Sequence, residues 1–160
     1  MVHMVTITQD MIERSKARDH GAYNKRSFEN GGGNMVGFLG EEMLKKICPH
    51  LNHVDQYSHD FEYKGTTIEV KSKNQNVPHE PKGHYEGSVP KYSFEFQKPD
   101  IFVFCRVYNL EYGWVMGYVS YKDLIEKGFD KTKGQNEGNM SFKADNLNIR
   151  YNQLTHLELR

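Results

Sequence analysis

The sequence predicts an α/β (α+β) domain, a central mixed sheet of about 4–6 strands flanked by helices. Three observations carry this expectation. Val36, Gly40, Met43, Leu44 and Ile47 recur at helical spacing. Residues 60–71 alternate apolar and polar side chains about Lys64-Gly65, as a hairpin does. Ile101–Val107 and Trp114–Val119 are dense in β-branched and aromatic residues, the composition of buried strands. A chain of 160 residues suffices for one domain with a real core, expected to span 1–160 with its centre at approximately 34–121.

In chain order, Thr8 can cap a helix running to Arg18, with Asp10 and Glu13 in the first turn and Met11, Ile12 and Ser15 as a narrow apolar face. Residues 19–33 read as a connector ending in Asn30-Gly31-Gly32-Gly33. No Gly-Lys-Ser/Thr follows, so a P-loop is not expected. Asn34 can cap the next helix and Pro49 ends it. Gly37 and Gly40 each cost a helix about 1 kcal/mol against Ala, which implies a close approach of another backbone or of a substrate. His53 to Tyr57 reads as a short strand. Residues 72–93, with Pro78, Pro81, Gly83, Gly87 and Pro90, read as a long loop, followed by a strand at Tyr92–Phe96. Asn109–Gly113 forms the turn between the two apolar strands, Ser120 caps a short helix closed by Gly128, and 130–146 is a loop or flap. Leu147 to Leu157 packs back on the core.

Hydrophobic residues make up 37% of the chain, with 10 Tyr and 9 Phe, which excludes a disordered protein. No apolar run approaches the roughly 18 residues of a membrane span. The first residues carry no apolar signal core, and two cysteines are too few for a disulfide framework. The expected setting is therefore cytoplasmic. A balance of 21 basic and 21 acidic residues argues against a non-specific nucleic-acid coat. Basic residues nevertheless cluster at Arg14–Arg26 and again at Lys71, Lys73, Lys82 and Lys91.

The chemistry is concentrated in Asp60–Lys71. A two-residue loop at Lys64-Gly65 pairs Tyr63 with Thr66, Glu62 with Thr67, Phe61 with Ile68 and Asp60 with Glu69. Phe61, Tyr63, Ile68 and Val70 then share one face. Asp60, Glu62, Thr67, Glu69 and Lys71 share the other. Asp60 and Glu69 would oppose each other with Cβ atoms roughly 4.5–5.5 Å apart, a destabilising arrangement unless a cation lies between them. A divalent metal ion answers that, with Lys71 beside it.

A helix carrying Gly40-Glu41, a strand bringing Asp60 and a following strand with Glu69-Val70-Lys71 together resemble the PD-(D/E)XK nuclease superfamily, the restriction-endonuclease-like fold. The resemblance covers roughly residues 34–121. It implies that Asp60 and Glu69 bind Mg²⁺, which Mn²⁺ can replace, with the Val70 main-chain carbonyl as a further ligand. It implies that Lys71 positions or activates the attacking water, and that Glu41 completes the site or reaches the metal through water. DNA is the implied partner, cut by a restriction, homing, junction-resolving or phage-type endonuclease, with a homodimer or higher oligomer where both strands are cut. Lys73, Asn74, Gln75, Lys82, Lys91 and Tyr92 are candidate nucleic-acid contacts, and Gln97 a further residue near the metal. His59 stands where the family often has Pro, and the helix usual after the Glu-x-Lys strand is not evident in 72–93.

Other readings of these residues are weaker. A non-catalytic nucleic-acid-binding protein with this fold has no need for opposed carboxylates. An interaction module would carry Asp60, Glu69 and Lys71 as a surface ion-pair ladder contributing about 0–1 kcal/mol. Cys48, His50, His53 and His59 do not have the spacing of a structural zinc site.

Overall fold

In the computed structural model, residues 2–21, 32–54, 56, 58–132, 134–137, 140–141 and 145–158 are described. Strand β1 (His3–Thr6) leads into helix α1 (Gln9–Gly21), where Thr8 Oγ1 caps the first turn by accepting from the Met11 amide at 3.3 Å. Helix α2 (Gly32–Ile47) is already helical two residues before Asn34, so Asn34 lies inside it and is not its cap. Lys25, Arg26 and most of the expected 19–33 connector lie outside the described residues. Short strands β2 (Asn52–His53) and β3 (Phe61–Tyr63) precede the long β4 (Thr66–Gln75). The strand expected over 53–57 is confined to Asn52–His53 among the described residues; 55 and 57 lie outside them.

Then come β5 (Glu86–Pro90), a 3-10 turn (Lys91–Glu95), β6 (Ile101–Tyr108) and β7 (Tyr112–Ser120). Helix α3 (Tyr121–Lys127) follows, capped as expected by Ser120, whose Oγ accepts from the Asp123 amide. The chain closes through β8 (Phe129–Lys131), β9 (Asn136–Glu137), β10 (Met140–Ser141) and β11 (Asn146–Arg150), with a last 3-10 turn at Tyr151–Gln153.

Among the described residues six strands form one mixed sheet in the order β1-β7-β6-β4-β3-β2. Only β4 and β6 run parallel, from Ile68↔Ile101 to Gln75↔Tyr108. A smaller antiparallel sheet, β5-β11-β8, and the β9–β10 pair complete the fold. The large sheet has a core on each side. Helices α1 and α2 bury Met11, Leu39, Met43 and Leu44 against Phe61, Ile68, Val70, Val103 and Val115. On the other side Phe102, Phe104, Trp114 and Met116 meet Val89, Leu124, Leu147, Ile149 and Tyr151. Gly40 sits where α2 crosses β4: a Cβ there would lie 1.8 Å from Ser72 Oγ. The inferred close approach therefore exists at Gly40. A Cβ on Gly37 would meet nothing within 4 Å.

The hairpin forms in the expected register, with Tyr63↔Thr66, Glu62↔Thr67 and Phe61↔Ile68. Lys64 (φ 49°) and Gly65 (φ 84°) both take positive φ, the two-residue turn whose twist suits a hairpin.

Three further sequence expectations are corrected. Tyr92–Phe96 is not a strand: the Ser93 hydroxyl donates to the Pro90 carbonyl at 2.7 Å and closes a 3-10 turn there. The 72–93 segment is not all loop. Residues 72–75 extend β4 because Cys105–Tyr108 offer them a parallel partner, and 86–90 pair with β11. Residues 130–146 likewise contain strands among the described positions. No α-helix lies between β4 and β6; the crossover is made of β5 and the 3-10 turn.

Candidate active site

The site forms where β3 leaves β4. The ladder stops at Phe61↔Ile68, one pair short of Asp60 opposite Glu69. The Asp60 amide donates instead to the Ile68 carbonyl at 2.8 Å. This bend swings the Asp60 carboxylate onto the open edge of β4, where Oδ2 accepts from the Val70 amide at 2.9 Å. A paired strand residue directs its N–H and C=O to the same edge, so the Val70 carbonyl shares that edge with Asp60.

The Asp60 and Glu69 carboxyls lie within hydrogen-bonding reach of each other. That contact is a hydrogen bond only while one of them holds a proton. Glu69 is 5% exposed, and among the described residues its Oε1 has no donor. Burial, then the charges of Glu69 and Glu41, push the Asp60 carboxyl well above the usual carboxylate range. Burial pushes Glu69 upward too, against the opposing pull of Lys71.

Lys71 follows on the same face of β4. Its Nζ lies 3.1 Å from Glu69 Oε2 and donates to Gln97 Oε1 at 2.8 Å. Gln97 is set by the 3-10 turn, since its own amide donates to the Ser93 carbonyl at 2.7 Å. Glu41, on α2, is the buried member of the Glu41/Glu42 pair. Its Oε1 accepts from Arg18 Nη2 at 3.0 Å and hydrogen-bonds His53 Nε2 at 2.8 Å. Glu42 turns outward to Arg14 at 2.8 Å. Glu62, on the hairpin, hydrogen-bonds His59 Nε2 at 2.7 Å and so turns from the other acids.

The structure thus brings together Glu41, Asp60, Glu69, Lys71 and the Val70 carbonyl, with Gln97 beside them. The remaining candidates are dispersed. Lys73 Nζ donates to the Glu86 carbonyl at 2.9 Å. Gln75 is buried, its amide bonded to the carbonyls of Val77 and His79. Asn74 and Lys82 are exposed, Lys91 pairs with Asp130 at 2.6 Å, and the Tyr92 ring lies 6.3 Å from that of Phe96. The histidines weighed for zinc are separated in use: His50 meets the Tyr63 ring edge-on, His53 stacks on Phe61, and His59 bonds Ser58 and Glu62.

Among the described residues no three His, Cys, Asp or Glu side chains are gathered into a group able to hold an ion by themselves. Mg²⁺ does not require such a cage. It is commonly bound by one or two carboxylates and keeps several waters. Two carboxyls within hydrogen-bonding reach, one with a buried oxygen lacking a donor among the described residues, and a main-chain carbonyl on the same edge are a donor set of that kind.

Sequence reasoning did not find the roles of Arg18 and His53. Arg18 stood among the basic residues of the first helix, and its guanidinium packs 4.2 Å over the Phe38 ring while reaching Glu41. A basic residue one helix away carries no local signal of which acid it meets. No helix among the described residues is long and apolar enough to cross a membrane. The chain matches no family model, no curated protein and no solved structure.

Proposed function

We propose that this chain is a Mg²⁺-dependent DNA endonuclease of the PD-(D/E)XK kind, with a restriction-endonuclease-like core, that hydrolyses phosphodiester bonds. One observation carries the reading: two carboxyls within hydrogen-bonding reach of each other at the fork of a hairpin, with a lysine two residues beyond the second. Holding buried like charges together destabilises a fold. A surface ion-pair ladder would avoid that arrangement, whereas a site for a hard divalent cation needs it.

Asp60, Glu69 and the Val70 carbonyl would hold the ion, and Glu41 would act through water. The ion's contribution is to polarise the phosphoryl group and neutralise charge on the leaving oxygen. The lysine's task follows from its contacts. An ammonium has three donors. Glu69 and Gln97 take two of Lys71's, leaving one N–H to orient a water against the phosphorus. The charge of Glu69 also keeps that ammonium in place. Asp60, fixed by the Val70 amide, cannot swing out of the site without breaking that bond. Cutting both strands of a duplex takes two such sites, which favours a homodimer at work on DNA.

The test is incubation with supercoiled plasmid and Mg²⁺. Nicking or linearisation is expected, abolished by EDTA, by Glu69→Ala and by Lys71→Ala. Cleavage that survives Glu69→Ala would overturn the site. Duplex, single-stranded and branched DNA all left intact with Mg²⁺ and Mn²⁺ would overturn the activity.

A further inference from the structure

The acid least explained by the hairpin is Glu41, and its surroundings are unusual. It is 7% exposed on α2, yet both of its hydrogen-bond partners among the described residues come from elsewhere: Arg18 from α1 and His53 from β2. Both act on the same oxygen, Oε1, and Oε2 has no protein hydrogen bond among the described residues. Each donor is itself held by a ring. The Arg18 guanidinium packs 4.2 Å over Phe38, one turn of α2 before Glu41. The His53 imidazole stacks 4.7 Å from Phe61, at the last pair before Asp60 leaves the ladder.

The charge of Glu41 is felt at both Asp60 and Glu69, so it belongs to the same electrostatic site. A carboxylate free to rotate on three side-chain bonds would present its two oxygens indifferently. With Oε1 fixed by two donors, the position of Oε2 is fixed as well.

We infer that Arg18 and His53 are positioning residues for Glu41: they lock Oε1 so that Oε2 is held to accept from the hydration waters of a divalent cation at Asp60 and Glu69. This rests on the metal-site reading above. It makes α1 part of the active centre rather than an N-terminal extension. It also gives His53, otherwise an ordinary edge-strand residue, a function through Glu41. Partners that orient a ligand set typically change metal affinity 10–100-fold when removed.

Direct Mn²⁺ binding to the intact protein, followed by the loss of free-ion electron-spin resonance signal, tests this without relying on cleavage. Arg18→Lys keeps the charge and loses the planar fork. His53→Ala removes the second donor. Each is expected to weaken Mn²⁺ binding about 10-fold, and Glu41→Gln to weaken it similarly. The decisive arm adds Arg18→Lys or His53→Ala to Glu41→Gln, where no further loss is expected because both act through that carboxylate. His53→Gln, which retains a donor, is expected to restore part of the affinity. Unchanged affinity in both single variants, or a full second loss on top of Glu41→Gln, would overturn the inference while leaving the metal site standing. Failure of the wild-type protein to bind Mn²⁺ would remove the metal site, and this inference with it. Thermal melts of each variant identify any that fail to fold. If Arg18→Lys does not fold, the His53 arm decides alone.

Discussion

The two faces of β4 obey opposite rules within a few residues. Ile68 and Val70 point toward α2 and are 5% and 6% exposed in an ordinary apolar core. Glu69 and Lys71, alternating with them, point the other way, and Glu69 is as buried as its apolar neighbours. On the adjoining β6 the residues in register with Glu69 and Lys71 are Phe102 and Phe104, so the second face is apolar on one strand and charged on the next. An apolar layer on both sides would have been the stable solution. Keeping carboxylates there sacrifices stability at one place, and such places are where function is concentrated. The contrast predicts that substitutions on one face damage stability and those on the other damage activity.

The largest effect is expected on the charged face. Glu69→Ala and Lys71→Ala should each lower plasmid cleavage by at least about 100-fold while leaving the fold intact, checked by initial rates beside a thermal melt. A loss of activity matched by a loss of folded protein would place these residues with the core instead.

The apolar face should answer in the opposite way. Gly40 leaves no room for a side chain, because a Cβ would meet Ser72 Oγ at 1.8 Å and Val70 Cγ1 at 3.3 Å. Overpacking of this kind costs about 1–3 kcal/mol. Gly40→Ala gains helix propensity worth about 1 kcal/mol, which offsets part of that. Gly40→Val has the clash without the same compensation. Its melting temperature should fall by several degrees and below that of Gly40→Ala. A Gly40→Val protein as stable as the parent would show that α2 can lift from β4 freely.

This contrast also marks what the sequence could and could not disclose. The hairpin register was legible because a period of two and a Gly-containing turn leave little choice. The departure of Asp60 was not, since it depends on β3 ending one pair early at a tertiary bend. The resemblance singled out Glu41, and the structure turns Glu41 inward and its neighbour Glu42 toward Arg14. Nothing local could pair Glu41 with Arg18 and His53, which arrive from two other elements. Strands β1, β5 and β11 escaped for the same reason: each is five residues or fewer, and each exists because a partner distant in sequence is beside it.

The next effect is smaller and has the less familiar sign. Asp60 holds its proton to higher pH in the folded state than in the unfolded chain, whose value is about 3.9. The native state then binds more protons than the unfolded one, so this contribution to stability is complete below about pH 3.9 and is lost as pH rises through the folded value. Glu69, also raised, adds in the same direction. Asp60→Asn keeps an acceptor for the Val70 amide and removes the like charge. In EDTA at neutral pH this variant should be the more stable protein, by on the order of 1 kcal/mol or about 2–4 °C. The advantage should shrink as pH is lowered toward 4, and added Mg²⁺ should stabilise the parent only. A destabilised Asp60→Asn protein would mean that Asp60 is a structural cap and that the carboxylate contact is not strained.

The smallest effect defines where the site ends. Arg14–Glu42 and Arg18–Glu41 are successive ion pairs between the same two helices, at 2.8 and 3.0 Å. The Arg14 side chain is 58% exposed and that of Arg18 18%. An exposed pair loses most of its Coulombic gain to solvent and salt and gives up side-chain freedom besides. Arg14→Ala should therefore shift the melting temperature by no more than about 1–2 °C and leave cleavage unchanged. Arg18→Ala, one helical turn further on, leaves a buried carboxylate short of a donor and should lower both. If the two substitutions behave alike, the boundary drawn between Glu41 and Glu42 does not exist, and α1 is only a cover for α2.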